Sequence, residues 1–362
     1  MNRQLGLSLI EILVAGVLSA LVLTGLLQVV SSVKNSQKLN DALGESQEVG
    51  RFVLNLLTDE IVKSGYYGCL KPFSYSAVEE ASVDWTDPAI ITNKPYINPV
   101  VKPDTYFAST NLSRTSLRGF EVSASGGWTP DPSADAYNAD ILALKNASPP
   151  RKPPKADSDV INVQFASREN APLSENMATK SSEIKIDVKP NGLGGIAQST
   201  FLIIADCALG DLFKVSNVPA IPVVGVPMVL QHDSTVNQTA ELRNLYEMAS
   251  AQVRRFHSDT YYVVQTDRLD AMGNPISALM RMNVKGVPEE LAEGVEKMNI
   301  EYGQQAANGS LQYLKAGSVA NMRRVTQIKI TVDTKTVKSR EGAGNGYLTK
   351  QYTRTIKLRN RS

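Results

Sequence analysis

Residues 6–34 read GLSLIEILVAGVLSALVLTGLLQVVSSVK, and the reading of that stretch decides the fold. Between Glu11 and Lys34 lie twenty-two uncharged residues, mostly Leu and Val. A helix of that length crosses the hydrocarbon core of a bilayer. The tract is too long for the apolar region of a secretory signal peptide, and no Ala-x-Ala cleavage site follows it. The expectation is a membrane-spanning helix over about 7–33. Glu11 is the anomaly. A carboxylate at membrane depth costs a few kcal/mol on insertion scales and usually has a partner.

Two placements account for Glu11. In the first it is solvated at the membrane interface, close to a helix N-terminus whose partial positive charge favours an acid. In the second the chain is cut between Gly6 and Leu7, so that Leu7 carries a free α-amine one helical turn from Glu11. Amine and carboxylate then pair, within one chain or between neighbouring chains. Glu11 alone leaves both open.

The helical period continues past Lys34. In VGRFVLNLLTDEIVKSGYYGC, apolar side chains recur at Val49, Phe52, Val53, Leu56, Leu57 and Ile61, and Leu39 and Leu43 extend the pattern toward the membrane. Gly65, just after Lys63, is a C-terminal stop. One helix is predicted from about Leu7 to Ser64, about 85 Å long if unbroken. Its first half is apolar all round and its second half amphipathic. Gly16, Gly25, Gly44 and Gly50 weaken it locally.

From about Leu70 to Asp159 the chain is rich in Pro, Ser, Asp and Asn, with short strand signals such as ILAL (141–144). SPPRKPPK (148–155) predicts an extended, flexible surface loop. Strand signals then come steadily. They are VINVQFAS from Val160, SEIKIDV from Ser182, TFLIIADC from Thr200, DLFKVSNV from Asp211, YYVVQT from Tyr261, ISALMRMNV from Ile276 and GVEKMNIEYG from Gly294. RRVTQIKITVDTKT and YLTKQYTRTIKLRN flank the Gly-rich VKSREGAGNG, which predicts a long hairpin. Within YYVVQT, Tyr261 and Tyr262 divide between core and surface. Strands after a single N-terminal helix predict an α+β fold with antiparallel sheet.

Composition limits what such a chain does. The 362 residues are 20% charged and 42% hydrophobic, which suits a globular body plus an anchor. A formal net charge of +2 gives no electrostatic support to nucleic-acid binding. Cys69 and Cys207 both lie beyond the membrane segment and allow a single intramolecular pairing. In an oxidising compartment a disulfide is the natural state; two buried thiols are the alternative. Closing so long a loop stabilises by roughly 5 kcal/mol in the chain-entropy model.

Catalytic signals are weak. His232 and His257 are the only histidines. HDS (232–234) carries triad letters, but triad members meet in space and seldom adjoin in sequence. The two cysteines and two histidines lack zinc spacing. GLGG (192–195) follows a strand signal and Pro190 and reads as a turn. Asp84, Asp87 and Asp104 fall in loops, where a solvated surface is the default. No catalytic residue, metal site or cofactor is expected, and the chain reads as no enzyme.

The decamer GLSLIEILVA, Gly6 to Ala15, closely resembles the type IV prepilin signature. In that family a short basic leader ends in Gly, a prepilin peptidase cuts after it, and the new first residue is N-methylated. A Glu four residues further on engages the neighbouring subunit's amine. The resemblance implies a leader over 1–6, cleavage between Gly6 and Leu7, methylation of Leu7, and a role for Glu11 in subunit assembly. Arg3 supplies the leader's positive charge and keeps that end cytoplasmic. Leu7 stands where Phe is commoner, and the Pro that many major pilins carry near the position of Gln28 is missing, which leaves a helix break there open.

In the body, SGYYGC (64–69), DCALGDLF (206–213), EGVEKMNIEYG (293–303) and LRNR (358–361) are similar, in that order, to landmarks of PilW-type minor pilins. That likeness implies a pilin-like α+β fold with a periplasmic head over 65–362, carrying a loop-rich insertion over about 70–159. It also implies a Cys69–Cys207 disulfide. The implied function is a minor pilin that helps initiate pilus assembly and forms part of the tip, supporting adhesion and twitching motility. The implied partners are other minor pilins, the major pilin, prepilin peptidase and a tip adhesin. The implied location is the inner membrane and then the pilus tip. A large minor pseudopilin of type II secretion shares anchor and fold, and a membrane-anchored periplasmic enzyme is the reading from a different class.

Overall fold

A computed structural model of the chain describes residues 9–70, 97–102, 116–134, 138–148, 151–187, 193–220, 225–270, 272–306, 309–336 and 347–359. Helix α1 (Leu9–Ile61) is continuous over 53 residues, about 80 Å at 1.5 Å per residue, with no break at Gln28 or at any of its glycines. It ends slightly before the expected Ser64. Lys63 and Ser64 donate to the carbonyls three residues back, Glu60 and Ile61, which tightens the last turn. Gly65, at φ 77°, then turns the chain and donates its N–H to the Gln164 carbonyl at 3.0 Å.

The helix is exposed over the whole of 9–41 and begins to bury at Ala42. Its buried stripe is Ala42, Ser46, Gly50, Val53, Leu54, Leu57 and Ile61. This corrects the predicted stripe in two places, since Phe52 is 49% exposed and Leu39 faces outward too. The contact line runs through small residues that a count of apolar letters does not score. Ser46 Oγ lies 2.8 Å from Thr334 Oγ1, and a Cβ at Gly50 would fall 2.4 Å from the ring of Tyr352. The helix therefore sits close on the sheet where its side chains are smallest.

Among the described residues the body has sixteen strands, in part short. They are β1 (Ile97–Pro99), β2 (Leu117–Val122), β3 (Trp128–Thr129), β4 (Val160–Ala166), β5 (Ala171–Pro172), β6 (Ile184–Ile186), β7 (Phe201–Ala205) and β8 (Gly210–Lys214). After them come β9 (Met228–Leu230), β10 (Gln252–Leu269), β11 (Pro275–Met282), β12 (Pro288–Glu293), β13 (Val295–Gln305), β14 (Leu311–Leu314), β15 (Val325–Lys335) and β16 (Thr349–Lys357). A ten-stranded sheet runs β1-β8-β7-β10-β4-β2-β3, with β5 and β11 attached to β10 and β12 to β11. A four-stranded sheet runs β14-β13-β15-β16, and β6 pairs with β9. Every pairing is antiparallel except β1 with β8, so the class is α+β with a largely antiparallel body. The hairpin expected across the Gly-rich segment forms as β15 and β16; its tip lies outside the described residues.

One core joins helix and sheets. Val53, Leu54, Leu57 and Ile61 pack with Ile161, Val163, Tyr261 and Val263 of the large sheet and with Ile300, Ile328, Ile330, Val332 and Ile356 of the four-stranded one. Asp159 ties the two sheets together by accepting the Ile300 N–H at 2.8 Å.

Four local expectations are corrected. ILAL is not a strand but the middle of a short helix, α2 (Ala139–Lys145). Ile141 and Leu144, three residues apart, both reach the core with Phe120 and Tyr262, and Asp140 pairs with buried Arg118, its Oδ1 accepting from NH1 at 2.8 Å. Because α2 lies over that side of the sheet, Tyr262 is 1% exposed and not a surface residue, while Tyr261 is fully buried on the other face. The described part of the Pro-rich run is no loose loop either. Arg151 donates to the Gly286 carbonyl, Lys152 pairs with Asp267, Lys155 pairs with Glu296, and the Lys155 N–H donates to the Val263 carbonyl at 2.7 Å. Its basic side chains strap it across β10, β11 and β13. Finally, β2 lies inside the stretch read as loop-rich yet pairs with β4 and is buried along most of its length.

Candidate functional site: the uncovered half-helix and its fastening

Every large apolar side chain from Leu9 to Val33 is exposed, from 48% at Val30 to 77% at Leu9. Contiguous apolar surface on that scale is not what a soluble monomer presents to water. The helix is long and apolar enough to cross a membrane. Its one internal hydroxyl-to-backbone bond in this half, Thr24 Oγ1 to the Ala20 carbonyl at 2.7 Å, satisfies a polar group without water. Glu11 lies in the first described turn of α1, on the exposed surface, among Leu9, Ile10 and Ile12. Gly6, Leu7 and the rest of the leader lie outside the described residues. Past Val33 the exposed segment 34–41 is polar, KNSQKLND, and separates the apolar half from the body.

The other end of α1 is fastened covalently. Cys69 is disulfide-bonded to Cys207, 138 residues away, with Cα atoms 4.9 Å apart. Local structure positions both. Gly68 takes φ 79° just before Cys69, close against the guanidinium of Arg254. Arg254 in turn donates to the carbonyls of Ser167 and Arg168 at 3.0 and 2.7 Å and lies over the Tyr66 ring. Cys207 sits in the β7–β8 turn, where Asp206 Oδ1 accepts from the N–H groups of Ala208 and Leu209, both at 2.7 Å. Tyr67 and Leu70 on either side of Cys69 are buried with Phe201, Ile203 and Leu212. The junction is thus a covalent bond set in its own small core.

The two histidines are far from alike. His232 is buried, with Nε2 2.9 Å from the Ser182 carbonyl oxygen and its ring edge-on to Phe213. Asp233 and Ser234 are exposed, and Asp233 Oδ1 accepts from the Thr235 N–H at 2.9 Å, so HDS does not come together as a triad. His257 stacks flat on Phe165, 4.9 Å between ring centroids. Burial, with Arg255, Lys63 and Arg281 nearby, holds its imidazole down to about 4. Two residues along β10, burial pushes the Asp259 carboxyl up to about 6. Both line a cleft of about 990 Å³ beside the end of α1. This cleft is nearly silent in the sequence. Its only signal there is the alternation FHSD (256–259), which sets His257 and Asp259 on one side of a strand.

The described part of GLGG is a bend at Leu193 followed by irregular chain, with Gly195 at φ 64° and the Gly194 carbonyl accepting from Arg255 at 2.7 Å. Asp84, Asp87 and Asp104 lie outside the described residues. Among the described residues, no group of three or more His, Cys, Asp or Glu side chains is arranged to hold a metal ion.

No protein-family model, curated protein or solved structure matches this chain.

Proposed function

We propose that the chain is a minor-pilin-like assembly subunit of a type IV pilus. It is matured by prepilin peptidase at Gly6–Leu7, held in the inner membrane by the first half of α1, and later incorporated at or near the filament tip. The observation that carries this reading is the register of Gly6, Leu7 and Glu11 at the start of a continuous helix whose 9–33 half is exposed among the described residues. Such a half-helix suits lipid before assembly and a bundle of like helices after it.

Glu11 then takes part in subunit assembly. In a bundle, the methylated but still cationic amine of a neighbour's first residue approaches the carboxylate in a low-dielectric setting. Desolvation of both charges offsets much of the attraction, so the pair contributes to registration more than to raw affinity. The Cys69–Cys207 bond suits a periplasmic body. A chain of 362 residues is bulky for repeated packing along a shaft and suits a low-copy part. The role is structural, not catalytic, with other minor pilins, the major pilin and a tip adhesin as partners.

Mass spectrometry of the protein recovered from membranes tests the reading. The expected first residue is a methylated Leu7. An intact Met1, or cleavage after Ala20 as by a signal peptidase, overturns it.

A further inference from the structure

The face of the ten-stranded sheet that carries Ile161, Val163, Tyr261 and Val263 shares its core with the second half of α1. The helix stops at Ile61, and the same face continues past it. There His257 and Asp259 stand opposite Phe165 and Val163 of β4. With Lys63, Glu169 and Arg281 they line the open cleft.

Several charges around the cleft are already satisfied. Lys63 Nζ is 2.9 Å from Glu60 Oε1, Arg281 pairs with Glu289, and Arg255 donates to the carbonyls of Gly194 and Gly195. Asp259 is the buried exception. It is 4% exposed, and among the described residues no hydrogen bond or ion pair reaches its carboxylate; Arg281 acts on it only through space. The carboxylate keeps only slight contact with the open cleft, so a donor that enters the cleft can reach it and replace the little water it retains. Beside it, the stacked His257–Phe165 pair forms an aromatic wall, and Lys63 Nζ, 5.3 Å from the Phe165 ring centroid, shows that a cationic side chain lies against it.

We propose that this cleft is a docking site for a partner polypeptide, which inserts one Arg or Lys side chain to hydrogen-bond the Asp259 carboxylate. A long side chain is needed because the carboxylate lies below the rim. Its apolar stem runs along the His257–Phe165 wall, and exposed Glu169 meets the cation at the entrance. Arg168 and Arg359, also at the mouth, supply donors for the carbonyls of the incoming segment. The cleft lies about 42 Å along α1 from Val33, so it faces a protein partner and not the surface that the apolar half contacts. The inference does not depend on the prepilin reading.

The test uses the full chain in detergent micelles, titrated with the blocked pentapeptide acetyl-Gly-Gly-Arg-Gly-Gly-amide, its central-Glu counterpart, and spermidine as a non-peptide cation. The Arg peptide is expected to bind one to one and the Glu peptide not at all. Asp259→Asn, uncharged and close in shape, is expected to weaken binding by about tenfold or more. Glu169→Lys, at an exposed rim position where folding is unaffected, is expected to weaken it by about threefold. Binding of the Arg peptide unchanged in both variants, equal binding of the Glu peptide, or no saturation up to about 10 mM overturns the proposal. Tighter binding of spermidine than of the Arg peptide overturns the assignment to a polypeptide.

Discussion

The two halves of α1 are one uninterrupted helix with opposite surroundings. Over 9–41 every side chain faces outward, whereas from Ala42 onward one stripe is sealed against two sheets. The difference lies in what sits on the inner face. The first half repeats Leu and Val over most of its surface, and its own line of small residues, Gly16, Ala20 and Thr24, meets no sheet among the described residues. The second half places Ala42, Ser46 and Gly50 one turn apart, then larger Val53, Leu57 and Ile61, so that it comes down onto β15 and β16 at its small end and joins the shared core at its large end. Neither hydrophobicity nor a small-residue line alone attaches a helix to its own body; both together, matched to a facing sheet, do.

The sharpest way to break this comparison is to remove one side chain from each half. Leu57 is fully buried in the shared core, and Leu57→Ala is expected to lower the stability of the body by about 2–5 kcal/mol. Leu18 is 57% exposed, and Leu18→Ala is expected to leave the body within about 0.5 kcal/mol of the parent. Denaturant unfolding of the full chain in micelles measures both. Equal losses would mean that the first half packs on the body after all.

A smaller effect is a pH dependence confined to the body. The Asp159 and Asp259 carboxyls are held up to about 6, chiefly by burial, against an ordinary 3.8. Between those values the folded state binds more protons than the unfolded one, so these two groups add stability as pH falls from 6 toward 3.8. His257 acts the other way. Held down to about 4 against 6.5, it removes stability as pH falls from 6.5 toward 4. In His257→Gln only the carboxylate contribution is left, so acidification from about pH 7 to pH 5 is expected to raise its melting temperature relative to the parent's trend. Parallel trends in variant and parent would show that His257 is not the opposing group.

The smallest effect on the body belongs to Glu11. On the proposed pilin role, Glu11→Ala is expected to leave cleavage, the Cys69–Cys207 bond and the unfolding midpoint unchanged, within about 0.5 kcal/mol, while impairing incorporation into sheared filaments. Wild-type incorporation of this variant would remove the carboxylate's assembly role and leave the first half with lipid as its only partner.

Much of this architecture is legible in the sequence. A twenty-two-residue uncharged tract and a 3.6-residue apolar period predict one helix, and period-2 runs from Val160 onward predict strands that the structure pairs almost where expected. What stays hidden has physical causes. Ser46 and Gly50 hold the helix to the sheet by being small, and a search for apolar residues passes over them. ILAL has two periods available, and only the Arg118–Asp140 pair and the cover it gives Tyr262 choose the helical one. The front half of β10, QVRRFHSD, and β12, PEELAE, are too polar to announce themselves as strands, because their partners and not their own letters make them so. The cleft is hidden for a related reason. It exists where a helix ends over a sheet face, and neither the end nor the face alone marks it.

The unbroken passage of α1 through Gln28 and the polar spacer gives the molecule a lever. About 42 Å of stiff helix joins Val33 to the disulfide-clamped end. A tilt of about 20° within a bilayer or bundle, ordinary for a spanning helix, swings that far end sideways by about 14 Å. With no hinge in α1 to absorb the angle, a first half held in a membrane, as proposed above, would set the direction in which the body points, and a small change in its tilt would become a large displacement of the surface that carries Asp259.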